Sequence, residues 1–233
     1  MNWVSKKHFA TSLMLLAANS FGGTPTSETT KSLPRIRAGV YNLARVDRDI
    51  LDGAKEQAAR ILGRAGVRMD LVDCPVSAGE VDEYPGCSAL RGDAAILLRV
   101  RTSPTRLSGR RNVYGVALLP EDGGFGKYAD VYADAGVVAQ RKQMPASVFL
   151  GTLLAHEIGH LLLERASHSA SGIMSSPWRA GDLMLAAQGS LLFTSKEAGL
   201  LQDGVRGRLS ADESRAEPVL ALESTPGPVA LAP

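Results

Sequence analysis

Residues 155–174 read AHEIGHLLLERASHSASGIM, and the reading of this stretch decides what the chain can be. His156 and His160 are four residues apart, so on a helix they share one face, a single turn from each other. Two imidazoles placed this way can converge on one metal ion. Glu157, one step round, can then reach a water on that ion. This is the H-E-x-x-H arrangement, whose chemistry is zinc-assisted hydrolysis of peptide bonds. The flanks VFLGTLLA at 148–155 and LLL at 161–163 are apolar on nearly every side, which predicts a buried helix from about Pro145 to Leu163. Histidines and a glutamate on such a helix need partners. A metal ion supplies one to each histidine, and its bound water supplies one to the glutamate.

The census of histidines sharpens this. The chain has four; His8 lies near the N-terminus and the other three fall between 156 and 168. Three ligands with an open fourth position is the composition of a catalytic zinc site. His168 stands eight residues beyond His160, so the helix must end and the chain reverse within that interval. ERAS at 164–167 can form the bend, and SGIM at 171–174 reads as a glycine-assisted turn ending in Met174.

At this point the segment resembles the metzincin clan of zinc peptidases, whose pattern is H-E-x-x-H-x-x-G-x-x-H followed by a methionine turn. HS at 168–169 and GIM at 172–174 are similar to the matrixin branch, and HEIGHLLL…SHS…GIM as a whole resembles a group of bacterial proteins. The resemblance implies that His156, His160 and His168 ligate Zn2+, that Glu157 is the catalytic base, and that Met174 lies in the Met-turn under the metal. It further implies an α+β fold: a mixed twisted sheet with an antiparallel edge strand and a long active-site helix. The activity implied is that of a zinc endopeptidase, a metal-bound water attacking a peptide or protein substrate.

Two departures stand out. The last two histidines are two residues further apart than the clan pattern, and the expected glycine is Leu163, followed by Glu164. Either a non-glycine residue turns left-handed there, at about 1–2 kcal/mol, or the extra residues make a wider, unstrained turn. A competing third ligand is Glu197, in TSKE at 194–197. That residue also suits the start of a helix, where negative charge is favourable. With Glu197 as the third ligand, the alternative within catalysis is a zinc hydrolase acting on another amide; outside catalysis, it is a secreted binding module that zinc only stabilises.

The remainder of the chain predicts strands at 36–44, 67–73, 94–100 and 113–119, with an edge-like strand in FGKYADVYAD at 125–134. Helical spacing from Asp47 to Ala65 ends at Gly66, and a short late helix is expected at 194–201. DGGFGKYADVY at 122–132 is similar to the clan's cleft-lining edge strand. Pro177 and Trp178 could wall a side-chain pocket, although a core role suits the tryptophan. Lys6 and Lys7 before an apolar run predict a signal peptide over 1–20 and hence a secreted or periplasmic protein; 21–34 reads as a flexible leader. The zinc peptidase domain is placed at 35–208 and a disordered tail at 209–233. Cys74 and Cys87, the only two cysteines, suggest a disulfide in an exported chain.

Composition narrows the partners. Lysine and arginine number 26 against 24 acids, for a formal charge of +2. That balance argues against nucleic acid, which demands a marked basic excess; the densest basic run, RLSGRR at 106–111, reads as a solvated loop. No stable membrane anchor is expected, the N-terminal apolar run being too short to span a bilayer. A monomer is the expected state.

Overall fold

Alternating apolar residues build the strands and a continuous apolar helix covers them. The computed structural model of the chain describes residues 32–77, 79, 84–103, 113–121, 123–134 and 144–223. The signal-peptide reading, the leader up to residue 31, the basic run at 106–111 and residues 224–233 lie outside the described residues. From Leu33 onward the chain forms one unit.

Five strands form one sheet: β1 (Arg35–Asn42), β2 (Arg68–Cys74), β3 (Ala95–Arg101), β4 (Gly115–Leu118) and β5 (Tyr128–Tyr132). Their order is β2-β1-β3-β5-β4; the first four are parallel and β4 runs antiparallel to β5. The mixed sheet with an antiparallel edge is therefore as expected, but the edge is a different strand. FGKYADVYAD contributes β5, which lies inside the sheet between β3 and β4. Its polar residue Asp130 belongs to the opposite face, paired with Arg99 at 2.6 Å and Arg101 at 3.1 Å, while Ala129 and Val131 are fully buried. That ion-paired face imitated an edge pattern. The edge beside the cleft is β4.

Helix α1 (Arg48–Arg64) joins β1 to β2 and presents Leu51, Ala54, Ala58, Ile61 and Leu62 to the core. Gly66, at φ +76°, accepts the left-handed turn that stops it. Strand residues Ile36, Ala38, Val40, Ile96, Leu98 and Val100 alternate toward the same core. Helix α3 (Ala146–Leu163) is buried without a break from Phe149 to Leu162. It is apolar and long enough to cross a membrane, but most of it is covered by this protein, as befits a core helix. Each leucine or isoleucine it removes from water stabilises the fold by roughly 1.5–3 kcal/mol.

The cysteine loop holds a single turn of helix, α2 (Pro85–Ser88), and Cys74 and Cys87 are bonded across it. A further helix, α4 (Ala180–Ala187), was not legible in the sequence. The late helix α5 runs Ser195–Glu223, far past the expected 194–201, and this corrects the disordered tail from 209. Its continuation is held by distant partners. Asp212 accepts hydrogen bonds from the backbone N–H groups of Asp93 (2.6 Å) and Ala94 (2.9 Å), and Arg215 pairs with Asp93 at 2.7 Å.

Arg208 of α5 is 0% exposed. It donates to the carbonyls of Leu161 (2.7 Å), Gly126 (2.9 Å) and Asp93 (3.1 Å), with its guanidinium 4.9 Å from the Phe125 ring centre. It thereby satisfies a carbonyl in the last turn of α3, where a positive charge is also favoured.

Candidate metal centre and cleft

The three histidines converge. His156 and His160 project from α3 with their Nε2 atoms 3.1 Å apart, and His168 comes back from the following bend. All three offer a ring nitrogen within 4.8 Å of the others. The His168 ring stacks on His156 at 5.3 Å and stands edge-on to His160 at 4.9 Å.

Hydrogen bonds decide which nitrogens face inward. His156 Nδ1 bonds the Ile173 carbonyl at 2.7 Å, and His160 Nδ1 bonds the Arg165 carbonyl at 2.8 Å. A carbonyl only accepts, so each Nδ1 carries the proton and each neutral ring turns a bare Nε2 lone pair toward the other. Two lone pairs 3.1 Å apart repel unless a cation lies between them. A proton is a poor candidate: burial pushes His156 down to about 4 and lowers His160 and His168 as well. A divalent ion fits. Tetrahedral zinc with bonds of ~2.0–2.1 Å needs ligand nitrogens roughly 3.3 Å apart, close to what the first pair offers. Any wider gap in the trio involves His168.

The bend to His168 is made by the first of the two solutions that the sequence left open. Glu164 adopts φ 51°, ψ 39°, a left-handed conformation, and its N–H bonds the His160 carbonyl. Beyond it, Ser169 N–H donates to Met174 O at 2.8 Å and Ile173 N–H to Leu192 O at 2.9 Å, closing the turn under the histidines. Met174 is fully buried there. Gly159, within HEIGH, makes room for it: a Cβ at that position would sit 2.6 Å from Met174 Sδ and 2.7 Å from Phe193 Cε1.

Glu157 is almost wholly buried and lines the cleft next to the histidines. Its carboxyl folds over Gly115 of the edge strand and accepts the Ala117 N–H. Burial pushes it up to about 8, opposed by the Ala117 bond and reinforced by Asp130. The cleft has a volume of about 310 Å³; Tyr114, Phe149, Leu153, Trp178 and Leu183 give it an apolar lining beside the polar cluster. It is β4, not the 122–132 segment, that lines it. Pro177 also borders the cleft. Trp178 does more than pack: its indole N–H donates to the Ile173 carbonyl at 3.0 Å, the same oxygen that fixes His156.

Glu197, the rival ligand, is not among the converging groups. Both of its oxygens are engaged elsewhere, one by Arg165 (2.9 Å) and Ser169, the other by the Thr194 N–H and hydroxyl (2.9 Å each). Its own N–H bonds Thr194 Oγ1 at 3.3 Å, completing a capping box at the start of α5. TSKE was the signal for the cap. Arg165, within ERAS, was the unread signal of a counter-charge.

A mostly parallel sheet with an antiparallel edge, covered by a long buried helix, is a fold with known likenesses. No family model and no curated protein matches the sequence. Among solved structures, archaemetzincin from Methanopyrus kandleri is similar, with 19% identity over 74% of this chain and 97% of its own, at a TM-score of 0.46. A zinc-dependent peptidase from Methanocorpusculum labreanum is similar at 14% identity, covering 70% of this chain and 99% of its own, with a TM-score of 0.44. Likeness at that level carries no chemistry across. What this chain does has to follow from its own residues.

Proposed function

We propose that the chain is a metzincin-like zinc endopeptidase with the matrixin-like motif HExxH…HS…GIM. The observation that carries the reading is the pair of Nδ1–carbonyl bonds that aim two unprotonated Nε2 atoms at one point 3.1 Å wide. His156, His160 and His168 hold the ion. When bound, zinc supplies Lewis acidity for activating water and polarising a scissile carbonyl.

The chain's own residues do the rest. Beside a divalent cation, Glu157 would favour its ionised form against the upward push of burial. The carboxylate, buried against β4 and facing the cleft, then takes a proton from the attacking water and returns it to the leaving amine. An extended peptide can pair with β4, the sheet edge beside the cleft, and seat an apolar side chain against Tyr114, Phe149 and Leu183. Ile173, Arg165 and Trp178 keep the ligand rings in register. Met174 fills the space beneath them. Export is part of the proposal: the signal peptide over 1–20 directs the protein out of the cytoplasm, and the Cys74–Cys87 bond suits an oxidising compartment.

The test is Glu157→Ala in the full chain. It should keep one zinc per molecule and wild-type thermal stability while losing hydrolysis of an unfolded protein and a peptide library. Unchanged hydrolysis would refute the base. A folded, zinc-loaded wild type inactive on broad libraries would favour the binding module instead.

A further inference from the structure

We propose that Glu197 is a positioning residue for the third ligand: through Arg165 and Ser169 it ties both ends of the His168 segment to the N-terminus of α5. The proposal rests on the metal reading above and extends it to residues that never touch the ion.

The separation of eight residues between His160 and His168 leaves a segment with little packing of its own. His168 is exposed to solvent, and the exposed side chains of Ala166 and Ser167 give it no cover. A loop like this would ordinarily wander, yet both of its ends are fastened to one carboxylate. Arg165 donates from NH2 to Glu197 Oε1 and to Ser169 Oγ, at 2.9 Å each, and Ser169 Oγ donates to the same Glu197 oxygen. The Glu197 side chain is only 4% exposed and its second oxygen is held by Thr194, so the anchor cannot swing. Charge-assisted bonds in such a place are short and directional.

Two consequences reach the histidines. The Arg165 side chain fixes its own residue, whose carbonyl accepts from His160 Nδ1 and so selects the tautomer of the second ligand. Ser169 is the direct neighbour of His168, and its N–H is already committed to Met174 O. Because any wide gap in the trio involves His168, the placement of this segment decides whether three nitrogens reach one ion. Outer partners that orient ligands in this way typically change metal affinity about 10–100-fold when lost.

The experiment measures zinc dissociation constants by chelator competition on the full chain, together with the visible spectrum of the cobalt(II) form. Glu197→Gln keeps the size and the capping box but weakens the hold on Arg165 and Ser169. It should raise the zinc Kd about 10–100-fold and alter the cobalt bands. Ser169→Ala removes one arm and should give a smaller loss in the same direction. Val205→Ala, in the buried part of α5, is the control: it should lower thermal stability and leave the Kd unchanged. If Glu197→Gln fails to fold, Ser169→Ala decides. Wild-type affinity in a folded Glu197→Gln and in Ser169→Ala, or an equal loss in Val205→Ala, overturns the positioning role alone. A wild type that takes up no metal overturns the metal reading itself and this role with it.

Discussion

Gly115→Ala tests how Glu157, the proposed base, is held. A Cβ at Gly115 would lie 2.7 Å from Cδ and 2.8 Å from Cγ of Glu157 and closer still to Oε1. Ordinary contact begins near 3.4 Å, so the carboxyl carbon has to retreat by about 0.7 Å and its oxygen by about 1 Å. It cannot retreat freely, because the Ala117 N–H holds it from the same strand and the helix backbone behind it is buried. A misplacement near 1 Å costs a reaction about 100-fold, equivalent to about 2.7 kcal/mol of transition-state stabilisation. The ligands are untouched, and alanine in a strand is locally no worse than glycine. The variant should therefore bind zinc with unchanged affinity and melt near the wild type while kcat/KM on a peptide substrate falls about 100-fold. Adding Glu157→Ala to it should cost less than Glu157→Ala costs alone, since the two act on one group. Full activity in a folded Gly115→Ala would refute the placement of the base against β4; loss of zinc would show that the strand supports the metal instead.

Glu164→Gly relieves a left-handed residue costing about 1–2 kcal/mol and adds chain entropy worth roughly 0.5–1 kcal/mol. A net gain of about 0–1.5 kcal/mol should appear as an equal or higher urea midpoint, and a midpoint below wild type contradicts the strain. Arg208→Met leaves the carbonyls of Leu161, Gly126 and Asp93 without this donor. A loss on the order of 3–5 kcal/mol is expected in denaturant unfolding; a loss under about 1 kcal/mol would mean that water or other donors replace it. Asp93 carries an acid-sensitive part of the stability. Hydrogen bonds from Lys127 and Arg215 hold its carboxyl below its ordinary value of 3.8, against a smaller upward push from burial. Its contribution is complete above pH 3.8 and is lost as pH falls through the lower folded value. Asp93→Asn should lose stability at neutral pH and show a flatter decline as the pH falls below 3.8; an identical acid profile would remove Asp93 from the account.

What could be read from the sequence was whatever a short stretch decides for itself. HEIGH gives two histidines on one helical face at any depth of burial, and the alternation in β1 and β3 needs no distant partner to make a strand. Gly66 ends α1 by its own conformational freedom. The misreadings share the opposite property. Asp130 looked like an edge-strand residue because its partners, Arg99 and Arg101, lie 31 and 29 residues away. Residues 209–216 looked unstructured because Asp212 and Arg215 find their partners around Asp93, more than a hundred positions upstream.

The bend between His160 and His168 lies between these cases. The sequence posed two options there, a strained residue or a wider, unstrained turn, and the structure takes the first: Glu164 is left-handed although the segment is longer. Extra length alone would have freed the chain from strain, so the retained strain requires its own cause. The Glu164 N–H must meet the His160 carbonyl to close α3, and the next carbonyl, of Arg165, must meet His160 Nδ1. Both demands fall on consecutive residues directly after the second ligand. An abrupt reversal satisfies them together, whereas a gradual one would carry the Arg165 carbonyl away from the ring. On this argument the two additional residues do not soften the turn. They provide the span from the reversal to Ser169 over which Arg165 and Ser169 can both reach the carboxylate of Glu197, substituting an ion-paired anchor for the tight glycine turn of the shorter pattern.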